Sequence, residues 1–342
     1  MSADATRRAH RADTRGLILM VASAACFAAM APFTRKWLTH LEPQSIVLAR
    51  AIVMLIVFAI WARVAGIPLA GRNRVGLILR GFIGYLAISC YVWSTQHLQP
   101  GQAVLLQYSH PVFVAALAPF LLRERPGPLH WPLVLAGFGG LSLAIGVARF
   151  GGENGVGTAK AATDHAWMVG LLGACLSGFA YITVRRIAAT ETPVTIVFWF
   201  ALVMLPAALI GTLVPWSPLD TLAAWLGAPP AETAASMVPG AAAASLRHPL
   251  PATLAEIVGY GCVVAVGLVG QITLTEGLAR AGAARAVAVT MAGPLFGLAF
   301  DLIFFGQLPT AVALLGTSVV VAALTALGLL KPSLPITEGE AE

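Results

Sequence analysis

Ten times along its length this chain runs for about twenty residues with almost no charge, and that constrains its fold more than anything else in it. The runs lie near 16–34, 44–64, 76–97, 101–122, 129–149, 166–186, 193–214, 253–275, 283–305 and 309–330. Each is long enough, as a helix rising ~1.5 Å per residue, to cross about 30 Å of hydrocarbon. They are continuously apolar rather than alternating, which excludes the strands of a membrane barrel. Composition agrees: 58% of the 342 residues are hydrophobic and 11% charged, against about 25% charged in a soluble domain. The expected fold is an all-α integral membrane protein of ten transmembrane helices.

The net charge of +6 does not point to nucleic acid, because Lys and Arg are scattered between apolar runs. They follow the positive-inside rule instead. With a cytoplasmic amino terminus, fourteen basic residues fall in inner segments, among them Arg63, Arg72, Arg74, Arg123, Arg125, Arg185, Arg186 and Lys331. Five fall outside (Arg35, Lys36, Arg149, Lys160 and Arg247), while Arg50 and Arg80 lie inside or at the edge of spans. Both tails, 1–15 and 332–342, are therefore expected in the cytoplasm, and the chain in the cytoplasmic (inner) membrane. The first run has a basic lead and small residues, as a signal peptide does, but it is too long and Arg35-Lys36 follow at once; an uncleaved helix is expected. Two loops, 150–165 (Gly-rich) and 215–252 (Ala- and Pro-rich), are expected outside, the second loosely structured.

The chain repeats itself. QAVLLQYSHPVFVAALAPFLLRERP, from Gln102, aligns without gaps to RAVAVTMAGPLFGLAFDLIFFGQLP, from Arg285. Ala103, Val104, Pro111, Phe113 and Pro126 meet Ala286, Val287, Pro294, Phe296 and Pro309. The first and sixth spans correspond loosely through AACFA and CLSGFA. Two five-span repeats result, 16–150 and 166–331. An odd number of spans per repeat inverts the second copy, an arrangement typical of secondary transporters that bind at the midplane.

With its Ala-rich fourth span carrying Pro-Val-Phe and closing on RERP, and with Arg50 after LEPQSIVLAR, this arrangement resembles the EamA-like family of the drug/metabolite transporter superfamily. The second half departs from the pattern at Gly306-Gln307-Leu308-Pro309, where a glutamate is common, and at Phe200, where the arginine would recur. The resemblance implies export, or sometimes uptake, of small metabolites such as amino acids, vitamins or nucleoside derivatives. It also implies a cavity bounded chiefly by the first, third, fourth, sixth, eighth and ninth spans.

Polar side chains inside spans are costly unless they pair or face water, so each is a candidate for lining a path. In LLQYSHPVF, Gln107 and His110 share a helix face and Tyr108 turns aside, while Pro111 leaves the Gln107 carbonyl without its helical donor. A stripe of Tyr85, Ser89, Trp93 and Gln96 runs along the third span. Tyr181 with Ser177 marks the sixth, and Gln271 with Thr275 the eighth. These are the candidate substrate-binding residues; Arg50 is expected to be a structural charge that needs a partner or an aqueous edge. His110, which titrates within the physiological range when unperturbed, is a candidate carrier for a coupling proton. The lining suits a flat or zwitterionic organic solute better than a bare ion.

No ATP-binding loop, HExxH, GxSxG or paired-Asp motif occurs, so a pump or hydrolase is disfavoured. The cysteines Cys26, Cys90, Cys175 and Cys262 have no metal-ligand spacing. No cofactor, metal, catalytic residue or nucleic-acid partner is expected; the partners are a small-molecule substrate, membrane lipid and, through His110, a proton. The expected function is secondary transport by alternating access, most plausibly export. The rival is a membrane-embedded transferase acting on a lipid-linked substrate, which calls for clustered acids or histidines at one membrane face.

Overall fold

The computed structural model describes residues 3–39, 41–98, 100–121, 129–150, 159–213, 250–280, 293–306, 308 and 311–329. Among them every regular element is a helix. In chain order these are α1 (Ala3–Trp37), α2 (Pro43–Ala65), α3 (Arg74–His97), α4 (Pro100–Gln107), α5 (His110–Leu121) and α6 (His130–Phe150). The second half holds α7 (Ala159–Ile187), α8 (Pro193–Leu213), α9 (Leu254–Arg280), α10 (Gly293–Phe305) and α11 (Ala311–Leu329). Six of the helices contain stretches long and apolar enough to cross a membrane: Arg15–Trp37, Pro43–Ala65, Arg74–His97, Ala166–Ile187, Pro193–Leu213 and Leu254–Gly277.

Local chemistry sets the ends. Pro43 opens α2, where a missing N–H costs nothing. Gly66 closes it at φ 64° and returns its N–H to the Ala62 carbonyl, a left-handed cap that glycine adopts without strain. Asn73 caps α3 by accepting from the Gly76 N–H at 3.0 Å. At α9, Thr253 and Glu256 cap each other's backbone N–H, 3.2 Å in each direction. Glu191, between α7 and α8, accepts from the backbone of Arg72 and Asn73, pinning the two connections together.

Two helices run past the expected spans. α1 begins at Ala3 and α7 at Ala159, so most of the 1–15 tail and the last part of the 150–165 stretch are helical. Both additions are rich in Ala and other helix formers. The fourth run is not one helix but two, α4 and α5, divided at Tyr108–Ser109. The expected loop 215–252, apart from its last three residues, and residues 283–292 of the ninth run lie outside the described residues.

The helices pack α1 on α9, α3 on α7, α2 on α8, α6 on α11, α5 on α7 and α1 on α10. Exposed apolar residues fall on the outward faces. On α2, Ile52, Ile56, Ile60 and Val64 recur every fourth residue and are exposed, while Val47, Arg50, Met54 and Phe58 on the opposite face are buried. A stripe of that kind suits lipid and would be a liability in water. The main core joins α1, α2, α3 and α8 through Met30, Met54, Phe58, Val92 and Met204.

Candidate functional site

The break in the fourth run has a local cause. Pro111 has no N–H to offer the Gln107 carbonyl four residues earlier. The chain tightens instead: Ser109 N–H donates to the Leu106 carbonyl at 3.0 Å, and the Ser109 hydroxyl to the same oxygen at 2.6 Å. The imidazole of His110 then takes the abandoned acceptor, its Nδ1 lying 2.8 Å from the Gln107 carbonyl oxygen. A carbonyl can only accept, so Nδ1 carries the hydrogen and Nε2 of the neutral ring is left as an acceptor. The polar run in LLQYSHPVF thus builds a helix interruption with its own side-chain cap.

That interruption borders a buried cavity of about 80 Å³. Its walls come from both halves of the chain: Phe27 of α1, Arg50 of α2, a face of α3, Gln107, Tyr108 and His110, then Ser177 and Tyr181 of α7, Phe200 of α8 and Gln271 of α9. Gln107 Nε2 donates to the Ser177 hydroxyl at 3.0 Å. The rings of His110 and Tyr181 stack obliquely, with centroids 4.5 Å apart. Tyr108, in the break itself, also borders the cavity, and its hydroxyl donates to the Ala24 carbonyl at 2.8 Å. Thr275 lines a smaller adjoining space with Arg80, Tyr181 and Gln271, and its hydroxyl donates to the Gln271 carbonyl at 2.7 Å.

The third-span stripe lies elsewhere. Tyr85 and Ser89 both donate to Gln44 Oε1 of α2, at 3.2 and 3.4 Å. Trp93 stacks on His97, with ring centroids 3.8 Å apart. Gln96 Nε2 donates to the carbonyls of Leu38 and Leu41, both at 3.0 Å, and so holds the α1–α2 turn. Tyr85, Ser89 and Gln96 tie α3 to other segments while Trp93 stacks within α3 itself; the face of α3 that borders the cavity is the neighbouring one, carrying Arg80, Gly84, Ala87 and Tyr91.

Sequence reasoning did not single out Arg80, Phe27 or Phe200. Arg80 is 7% exposed and its guanidinium carbon lies 4.5 Å from the Phe200 ring centroid. Arg50 is 3% exposed, 5.4 Å above the Phe27 ring, with Nη2 3.4 Å from Gln271 Oε1. Among the described residues neither guanidinium has a carboxylate partner. The available signal was the pairing of each arginine with a glycine. A Cβ on Gly84 would collide with Arg80, and one on Gly267 would lie 3.2 Å from Arg50 Nη1. No group of three potential metal ligands occurs among the described residues, and the four cysteines are free.

Comparison with known proteins agrees with this architecture. The model of the EamA-like transporter family matches residues 14–146. The match covers well under half of the chain, all of it in the first half. The pseudopaline exporter of Pseudomonas aeruginosa (strain UCBPP-PA14) is 25% identical over 92% of this chain and 96% of its own length. A probable transport protein of Saccharomyces cerevisiae is 25% identical over 73% of this chain and 66% of its own. A solved crystal structure superimposes with a TM-score of 0.60 at 15% identity, covering 94% of this chain and 99% of the other, which shows a shared fold. The proteins this chain is similar to are transporters, and its six long apolar helices suit a multi-pass membrane protein.

Proposed function

We propose that the chain exports a small organic metabolite across the cytoplasmic membrane by alternating access, as ten spans in two inverted five-helix halves. The observation that carries this reading is the cavity walled by α1–α5 on one side and α7–α9 on the other. Its volume of about 80 Å³ is well under the roughly 300 Å³ of a site for a drug-sized ligand. Rocking of one half against the other would widen it to admit a metabolite.

The helix pairings support an internal two-fold relation. Exchanging the first five spans for the last five turns the α1–α9 pairing into α7–α3 and the α5–α7 pairing into α10–α1. It leaves α2–α8 and α6–α11 unchanged. All of these pairings are present. Both termini then lie in the cytoplasm. The relatives named as an exporter and a transport protein support outward movement of a solute.

Metabolite profiling of a deletion strain beside an overexpressing strain tests the function. One solute should accumulate in the cytoplasm of the first and in the medium of the second. A change confined to a modified lipid, with no solute redistributed, would favour the transferase and overturn the transporter reading.

A further inference from the structure

We infer that the cavity binds an anion carrying two carboxylates with an amine or amide N–H between them, the two acid groups held by Arg50 and Arg80. This rests on the transport reading above and narrows its substrate. The argument begins with charge. Two guanidiniums line one cavity, each almost wholly buried, and no described acid lies among the lining residues. The segment 281–292, AGAARAVAVTMA, which joins α9 to α10, contains no acidic residue either. A buried charge is stable only with a counter-charge or hydrogen bonds that replace water.

Those hydrogen bonds are incomplete. Among the described residues, Arg50 Nε and Arg80 Nε and Nη1 have no acceptor. Arg50 has only two long contacts, to Met30 Sδ at 3.5 Å and Gln271 Oε1 at 3.4 Å. Each guanidinium carbon lies over a phenylalanine ring, Arg50 at 5.4 Å from the Phe27 centroid and Arg80 at 4.5 Å from that of Phe200. The planar fork of donors that a guanidinium offers suits a carboxylate. The donors are arranged in two separate groups, one on each arginine, so one carboxylate would leave the other cation uncompensated.

Among the described lining residues, the remaining unpartnered atoms are acceptors: Gln107 Oε1 and His110 Nε2. They border the same cavity and call for a donor on the ligand. Two acid groups and a nitrogen hydrogen complete the inventory.

The glycines indicate that room for the guanidiniums is built in. Gly84 and Gly267 are 183 residues apart (267 − 84), the same offset that aligns Gln102 with Arg285 (285 − 102). Each occupies the equivalent place in its half, and each leaves space beside one arginine. The arginines themselves come from non-equivalent helices, α2 and α3. The notches repeat while the rest of the wall does not, so the two ends of a ligand meet different surroundings.

The test uses the full-length protein in detergent and small probes matched to the cavity. Millimolar iminodiacetate, which has two carboxylates on a secondary amine, should raise the melting temperature by about 2–4 °C. Its neutral diamide should not. Arg50→Gln and Arg80→Gln should each abolish the shift while melting, without ligand, no lower than the parent, because each removes an uncompensated charge. A purely structural role for the arginines predicts the reverse, a lower melting temperature in both variants with the shift retained in whatever folds. Equal stabilisation by the diamide, or stabilisation by inorganic phosphate and not by iminodiacetate, would overturn the assignment, and neither depends on the variants folding. Reconstituted vesicles separate the two levels: binding without flux of labelled iminodiacetate contradicts the transport reading, whereas flux of another solute without dicarboxylate binding contradicts only the substrate class.

Discussion

The imidazole of His110 donates to the carbonyl of Gln107 at 2.8 Å, filling the place of the backbone hydrogen that Pro111 lacks. One side chain thereby stabilises a broken helix and aims a bare ring nitrogen at the cavity wall. The two duties can be separated by substitution. An asparagine places an amide N–H where Nδ1 stands but nothing where Nε2 stands. His110→Asn should keep the parent's thermal stability and weaken ligand binding. His110→Ala should weaken binding and also lose about 1–3 kcal/mol of stability, because a buried carbonyl loses its partner. If Nε2 also receives a coupling proton, both variants lose pH-driven accumulation but keep substrate exchange. Denaturant unfolding and a flux assay at two pH values check this; unchanged stability, affinity and pH response in both variants would reduce the cluster to helix packing.

How far the sequence could carry the reading is clearest in the third span. Its polar residues at spacings of four, four and three define a genuine face, and periodicity found it. Periodicity cannot say what the face meets. Gln44 of α2 and the α1–α2 turn supply the partners of Tyr85, Ser89 and Gln96, and their approach is tertiary. In the fourth run the acceptor freed at Gln107 was legible because a proline and its i−4 carbonyl are fixed by local geometry, but that His110 itself would occupy it was not. Arg80 was passed over because an arginine near a span's edge ordinarily reaches interfacial water. Only packing shows that Gly84 and Phe200 draw it inward instead. Six of the runs match helices long and apolar enough to cross a membrane; these were legible because length and apolarity demand nothing from the rest of the fold.

Gly84 offers a test of the guanidinium notch without altering any charge. A Cβ there collides with the Arg80 guanidinium. Gly84→Ala should cost about 1–3 kcal/mol as an overpacked contact and abolish the iminodiacetate shift, while Gly139→Ala, where nothing lies within 4 Å of a new Cβ, should change neither. A full ligand response in Gly84→Ala would show that the position of Arg80 is immaterial to binding.

Orientation follows from the arginine asymmetry. In a variant lacking all four cysteines, single cysteines placed within 215–252 should react with a membrane-impermeant thiol reagent in intact cells. Labelling that appears only after lysis would reverse the assigned topology.

The central claim is that one cavity is reached alternately from the two sides of the membrane. Ala87 lines that cavity and is 5% exposed, so Ala87→Cys in the cysteine-free background reports on access directly and needs no knowledge of the substrate. The decisive measurement is its labelling by an impermeant thiol reagent in right-side-out and in inside-out vesicles. Alternating access predicts reaction from both sides, slow in each because only part of the population is open that way. Reaction from one side alone, or from neither, would contradict it.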